Sequence, residues 1–113
     1  MDPTALFRAL SDETRLRCLQ LIRANGEVCV CDFTCILDQS QPKISRHLAY
    51  LRSSGVVQHR RVRTLVFYRF SDHLPDWALE VLNKTLSSIA AQQPFRDDLE
   101  KMDCVECRGV EQA

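Results

Sequence analysis

The chain has 113 residues, 45% of them hydrophobic, with 15 basic and 15 acidic side chains and no formal net charge. That length fits one domain and that composition fits one core, which excludes a largely disordered chain. No apolar run approaches the roughly 18 residues of a membrane span, and Met1-Asp2-Pro3-Thr4 lacks the basic start and apolar stretch of a secretion signal, so a cytoplasmic location without a membrane partner is expected.

Asp2-Pro3 predicts the start of a short helix, with the acid as cap and proline at the first helical position. Leu6, Phe7 and Leu10 give it an apolar side. Ser11-Asp12-Glu13 opens a second helix with acids at its positive dipole end, Leu16, Leu19 and Ile22 form its stripe, and Asn25-Gly26 stops it. Cys18 lies beside that stripe and reads as a small core residue. A third helix is expected over about residues 30–37, with Phe33, Ile36 and Leu37 inward, then a turn at Asp38-Gln39. Ser40 caps a fourth helix that carries Pro42 in its first turn and ends at Gly55. Its Ile44, Leu48 and Leu51 fall at i, i+4 and i+7 and define one apolar face.

Two runs rich in β-branched and aromatic residues, Val56–Arg60 and Leu65–Phe70, flank a polar break at residues 61–64 and predict a hairpin. A last helix begins near Pro75-Asp76-Trp77, with Ala78, Leu82, Leu86 and Ile89 at helical spacing, and Pro94 ends it. Residues 1–92 are therefore expected to form one domain, and the polar, poorly periodic residues 93–113 a flexible tail. Helix, turn, helix and a two-stranded wing is a DNA-binding arrangement in which the second helix of the pair enters the major groove. The fold class expected is mainly α with a small β-hairpin, a winged helix-turn-helix.

The charge distribution agrees with that reading. Residues 41–70 hold Lys43, Arg46, Arg52, Arg60, Arg61, Arg63 and Arg69 and not one Asp or Glu. A one-sided basic segment is the footprint of phosphate binding, whatever the total charge. Gln41 and Arg46 suit adenine and guanine edges; Lys43, Ser45, Arg61 and Arg63 suit phosphates. Ser40, His47 and Tyr50 complete the expected contacts to double-stranded DNA. The first and last helices have apolar faces to spare, enough to pair two copies as a homodimer.

Six cysteines could form a disulfide scaffold only in an oxidising compartment, so thiols are expected here instead. Cys29, Cys31 and Cys35 sit within seven residues, just ahead of the DNA-reading helix. Clustered thiolates select soft ions. Three of them lack the fourth donor of zinc's tetrahedron, which leans away from that metal. Cys31 and Cys35, at i and i+4, share a helix face. Cys29 and Cys31, at i and i+2, would diverge on a regular helix, so joining them is expected to bend its start. Cys104 and Cys107 form a Cys-x-x-Cys pair, a candidate secondary thiol site that could take a thiophilic centre needing only two sulfurs, complete a four-sulfur zinc site or have no sensory role. Asp72 and His73 set a carboxylate beside an imidazole, but no second histidine follows in the last helix to extend them into a metal site. No nucleophile–base constellation points to an enzyme, and clustered thiols leave a redox switch open as an alternative.

From about Leu6 to Leu79 the sequence resembles the arsenic-sensing branch of the ArsR/SmtB family of winged-helix metalloregulators. The resemblance rests on Leu10-Ser11-Asp12-Glu13-Thr14-Arg15-Leu16, on Glu27-Val28-Cys29-Val30-Cys31-Asp32, on the run from Leu37 through Gln39-Ser40-Gln41-Pro42-Lys43-Ile44-Ser45-Arg46-His47 to Leu48, and on Phe67-Tyr68-Arg69. It implies a homodimeric repressor that leaves its operator when As(III) or Sb(III) binds three cysteines, with no organic cofactor. The spacing departs from the family's Cys-x-Cys-x-x-Cys: the third cysteine is Cys35, and Thr34 holds the usual position. The wing tip has Val62-Arg63 where relatives often carry glycine.

Overall fold

Asp2, Asp12 and Ser40 each satisfy amides at the start of a helix. The Asp2 carboxylate accepts from Thr4 N at 3.2 Å, the Asp12 carboxylate from Arg15 N at 3.0 Å, and the Ser40 hydroxyl from Lys43 N at 3.4 Å. The helices they open are α1 (Pro3–Leu10), α2 (Glu13–Asn25) and α4 (Gln41–Ser53). Between α2 and α4 lie β1 (Glu27–Cys29) and α3 (Val30–Leu37); β2 (Val57–Val62), β3 (Leu65–Phe70), α5 (Asp76–Ile89) and α6 (Phe95–Met102) follow. This is a computed structural model, and it describes residues 1–103.

The core gathers around α2. Cys18, Leu19, Leu21 and Ile22 are fully buried there, against Phe33 and Ile36 of α3, Ile44, Leu48 and Leu51 of α4, and Leu82 and Leu86 of α5. Each such aliphatic side chain contributes about 1.5–3 kcal/mol by leaving water. Gln20, also buried, donates from Nε2 to the Leu86 carbonyl at 2.7 Å and ties α2 to α5. Burial pushes the Cys18 thiol up to about 12, so it stays protonated and acts as packing.

The helix-turn-helix joint is short. Asp38 adopts φ 53°, and its N–H donates to the Thr34 carbonyl at 3.1 Å, closing α3. Only Gln39 and Ser40 then precede α4. Gly55, at φ 82°, turns the chain out of α4 so that Val56 N can donate to Leu51 O at 3.0 Å and β2 can start.

The winged helix-turn-helix is present, with three corrections. The hairpin is longer than expected: β2 pairs with β3 from Val57↔Phe70 to Val62↔Leu65, leaving only Arg63-Thr64 as the turn, with Arg63 at φ 58°. It also gains a third strand. β1 pairs antiparallel with β3, Glu27↔Arg69 to Cys29↔Phe67, so the sheet order is β1-β3-β2. Three residues are too few to show an alternating pattern, and β1 exists because β3 offers it an edge. The third correction concerns the division at residue 92. Residues 93–102 are not a flexible tail: α6 buries Phe95, Asp98 and Met102 and packs on α2 and α3. Asp98, 1% exposed, interrupts the apolar stripe, which is why the spacing reads as polar sequence. It is held by Arg17, whose Nε and Nη2 donate to its two oxygens at 2.7 and 2.8 Å. That bidentate bond, outweighing burial, raises the Arg17 pKa.

Among the described residues, no helix is long and apolar enough to cross a membrane.

Candidate functional site

Cys29 is not a helical residue. It ends β1 and stands at the N-cap of α3 with extended backbone (φ −75°, ψ 146°), and Cys31 is the second residue of the helix. This strand-to-helix corner turns the two side chains toward each other, and their sulfurs lie 2.9 Å apart. The expectation that joining them requires bending a regular helix is thereby corrected. The convergence is already built into the corner, because positions 29 and 31 obey different periodicities on its two sides. Cys35 is exposed, and no group of three potential metal ligands is gathered among the described residues. Cys104 and Cys107 lie outside them.

The two converging thiols face an open cleft of about 340 Å³. One wall is α4, through Gln41, Ser45 and Arg52; the other is the wing, through His59, Arg61 and Thr64. Arg52 donates to the His59 ring nitrogen at 3.1 Å, and the His59 ring stacks on Tyr68 with centroids 5.5 Å apart. Arg52 is a residue that sequence reading left out of the site. Its spacing, i+7 from Ser45, places it on the same helix face and could have found it.

The residues expected to contact DNA divide into two groups. Lys43 and Arg46 are exposed on α4, Arg61 is exposed on β2, and Arg63 projects from the wing tip. None of these four forms an ion pair among the described residues. Gln41 is exposed beside them, and Ser45 is half-buried at the cleft. The other group is engaged within the fold. Ser40 is the α4 cap. His47 is half-buried, with Nδ1 3.4 Å from Arg15 Nη1 and 3.9 Å from an Asp12 oxygen. Tyr50 lies under the Arg15 guanidinium at 4.3 Å. Arg15 also donates to the Ala9 and Arg8 carbonyls at 2.8 and 3.0 Å, so it locks the end of α1 to α4.

Two cations of the acid-free segment are likewise engaged. Arg60 reaches Glu27 across the sheet with bonds of 2.7 and 2.6 Å, passing over the Phe67 ring. Arg69 makes a bidentate pair with Asp72 at 2.8 Å. Those bonds lower the pKa of Glu27 and of Asp72, and they give Asp72 a partner other than a metal. The His73 amide donates to Ser71 Oγ at 3.1 Å.

This cleft joins a cysteine corner to α4 and the β2–β3 wing, and the chain that builds it is similar to proteins of known function. Residues 12–59 match the model for "Bacterial regulatory protein, arsR family". The chain is 51% identical over 86 residues to the arsenic resistance transcriptional regulator ArsR2 of Pseudomonas putida, covering 76% of this chain and 75% of that one. It belongs to the ArsR family. A second relative, the arsenical resistance operon repressor of Escherichia coli K12, is 51% identical over 82 residues, 73% of this chain and 70% of its own. Two solved structures superpose with a TM-score of 0.64. HlyU from Vibrio cholerae is 28% identical, with 80% of this chain and 89% of that chain covered. The antimony-specific transcriptional repressor AntR is 27% identical, with 80% of each covered. The ArsR family consists of winged-helix transcriptional regulators rather than enzymes.

Proposed function

We propose that this ArsR-family protein is a repressor that binds operator DNA as an inducer-free homodimer and is released by As(III) or Sb(III). The observation that carries the reading is the 2.9 Å convergence of Cys29 and Cys31 on a cleft shared with Gln41, Ser45 and Arg61. Two soft donors this close fit a thiophilic centre after a small outward adjustment, and a pair falls short of the four that zinc takes. The names of the two relatives and of AntR support the same inducer class.

In the inducer-free dimer the two α4 helices enter successive major grooves. Gln41 and Arg46 reach base edges, and Lys43, Arg61 and Arg63 hold phosphates. Phe7 of α1 and Trp77 and Leu79 of α5 are exposed, which supports pairing of two copies through those helices. Cys29 and Cys31 anchor the inducer, while Cys35 stands exposed and apart from them one turn further along α3. An occupied corner alters the cleft between reading helix and wing, and a coupling of about 1–3 kcal/mol would weaken operator binding roughly 5- to 150-fold. By reciprocity, operator DNA weakens inducer binding by the same factor.

The experiment follows the fluorescence anisotropy of DNA from upstream of the protein's own gene while arsenite is added to the reduced complex. Release by arsenite but not by zinc is expected, as is a ratio of affinities with and without arsenite that falls to one in Cys31→Ser. A complex that ignores arsenite yet yields to zinc or cadmium would overturn the inducer and keep the fold. A second reading rests on the same sulfur pair. One equivalent of peroxide could convert the two thiols to a disulfide and two waters, and release by peroxide without any metalloid would favour it.

A further inference from the structure

Two sulfurs converge at the corner, but a trivalent centre has three bonds to make. Cys35 is exposed, does not line the cleft and belongs to no three-ligand group among the described residues. The cleft instead offers space beside Cys29 and Cys31, about 340 Å³, and that space is cationic. Arg52, His59 and Arg61 line it together with Thr64, and among the described residues no Asp or Glu does. Such a surface attracts anions.

We propose that the third donor is a low-molecular-weight thiol carrying carboxylates, retained on the arsenic and seated in this cleft with its carboxylates toward Arg52 and Arg61. The proposal rests on the arsenic-responsive reading and departs from the expectation of no organic cofactor. The chemistry is thiol exchange. Arsenite in a thiol-rich medium is present as a tris-thiolate. The Cys29 and Cys31 thiols displace two of its three thiols, their protons leave with the departing sulfurs, and the third arsenic–sulfur bond is untouched. Arsenic stays trivalent and no electron is transferred.

This arrangement gives release a direct cause. The retained thiol fills the gap between Gln41 and Ser45 on one side and Arg61 on the other, where the DNA backbone must approach. Its carboxylates also occupy cations otherwise offered to phosphate. α3 need not unwind for either effect.

The test is native mass spectrometry of the reduced full-length protein with arsenite and either glutathione, which bears two carboxylates, or cysteamine, which bears none. Alkylation mapping of Cys35 accompanies it. The expected species carries one arsenic and one glutathione per chain, with Cys35 alkylated as readily as in the inducer-free protein. Glutathione should be retained about fivefold better than cysteamine, the scale of one or two partly exposed ion pairs. The double variant R52A/R61A should bring the two thiols level. Arsenic bound without a retained thiol and with Cys35 protected would make Cys35 the third donor and overturn the proposal alone. Equal retention of both thiols by the unmodified protein would remove the role of the cleft's charge. A protein that binds no arsenic would sink the arsenic-responsive reading along with the proposal.

Discussion

Two regions of this molecule handle charge in opposite ways. At the seam between α2 and α6, Asp98 is 1% exposed and Arg17 holds both its oxygens. Across α4 and the wing, Lys43, Arg46, Arg61 and Arg63 stand exposed without an acid in ion-pair reach among the described residues. Removing either partner from the seam leaves a buried charge uncompensated, so the seam holds α6 in place. The exposed set attracts a polyanion because no acid among the described residues pairs with it. A neutral chain can therefore present a cationic face if its acids are engaged elsewhere.

The comparison is most severely tested at the seam. Arg17→Met should lower unfolding stability by about 3 kcal/mol, read as a lower urea midpoint at unchanged m-value, and an unchanged midpoint would show that α6 does not depend on the pair. Arg46→Ala should cost about 1–3 kcal/mol of operator affinity and relax preference at one base pair. A third test separates engaged from available cations inside the acid-free segment. Arg61→Ala should reduce the magnitude of the log–log salt slope of DNA binding by about 1, whereas Arg60→Ala, whose guanidinium sits on Glu27, should leave it nearly unchanged. Equal changes in the two variants would mean that internal pairing does not withdraw a cation from DNA.

The smallest effect concerns pH. Burial lowers the His47 pKa; Asp12 opposes this, while Arg15, Lys43 and Arg46 add to it, and the net value lies below the usual imidazole range. The imidazole is therefore neutral at neutral pH, and its contact with Asp12 is not an ion pair there. Because the unfolded chain binds this proton more readily, stability is full above about pH 6.5 and erodes as pH falls toward the lower folded value. For Asp12, burial raises the pKa, but the Arg15 amide and the nearby His47 and Arg15 charges outweigh it, so its net value is also depressed. Its contribution is lost in a separate, more acidic window. His47→Gln should flatten the decline below about pH 6.5 and, by removing one of the charges that depress Asp12, shrink the acidic one without abolishing it, as followed by thermal melts across pH.

Much of the DNA-reading half was legible in the chain because it obeys local rules. Ile44, Leu48 and Leu51 repeat at helical spacing and are all buried, and Ser40 caps the helix they define. What escaped depends on partners distant in sequence. β1 needs β3, α6 needs Arg17 to accept Asp98, and His47 is drawn inward by Asp12 and Arg15, 35 and 32 residues away. The cysteine motif was visible as composition, but the corner that aims two of its sulfurs together was not, since a three-residue strand leaves no pattern.

The pairing of Cys29 with Phe67 has a practical consequence for anyone wishing to transplant the proposed sensor. Cys29 is held in register by β3, the same strand that forms half of the wing. Copying residues 29–35 into another winged helix would carry the sulfurs but not the ladder that positions the first of them. A graft needs β1 and a β3 edge able to receive it. The transferable unit is thus the three-stranded sheet with its corner, not the cysteine motif alone.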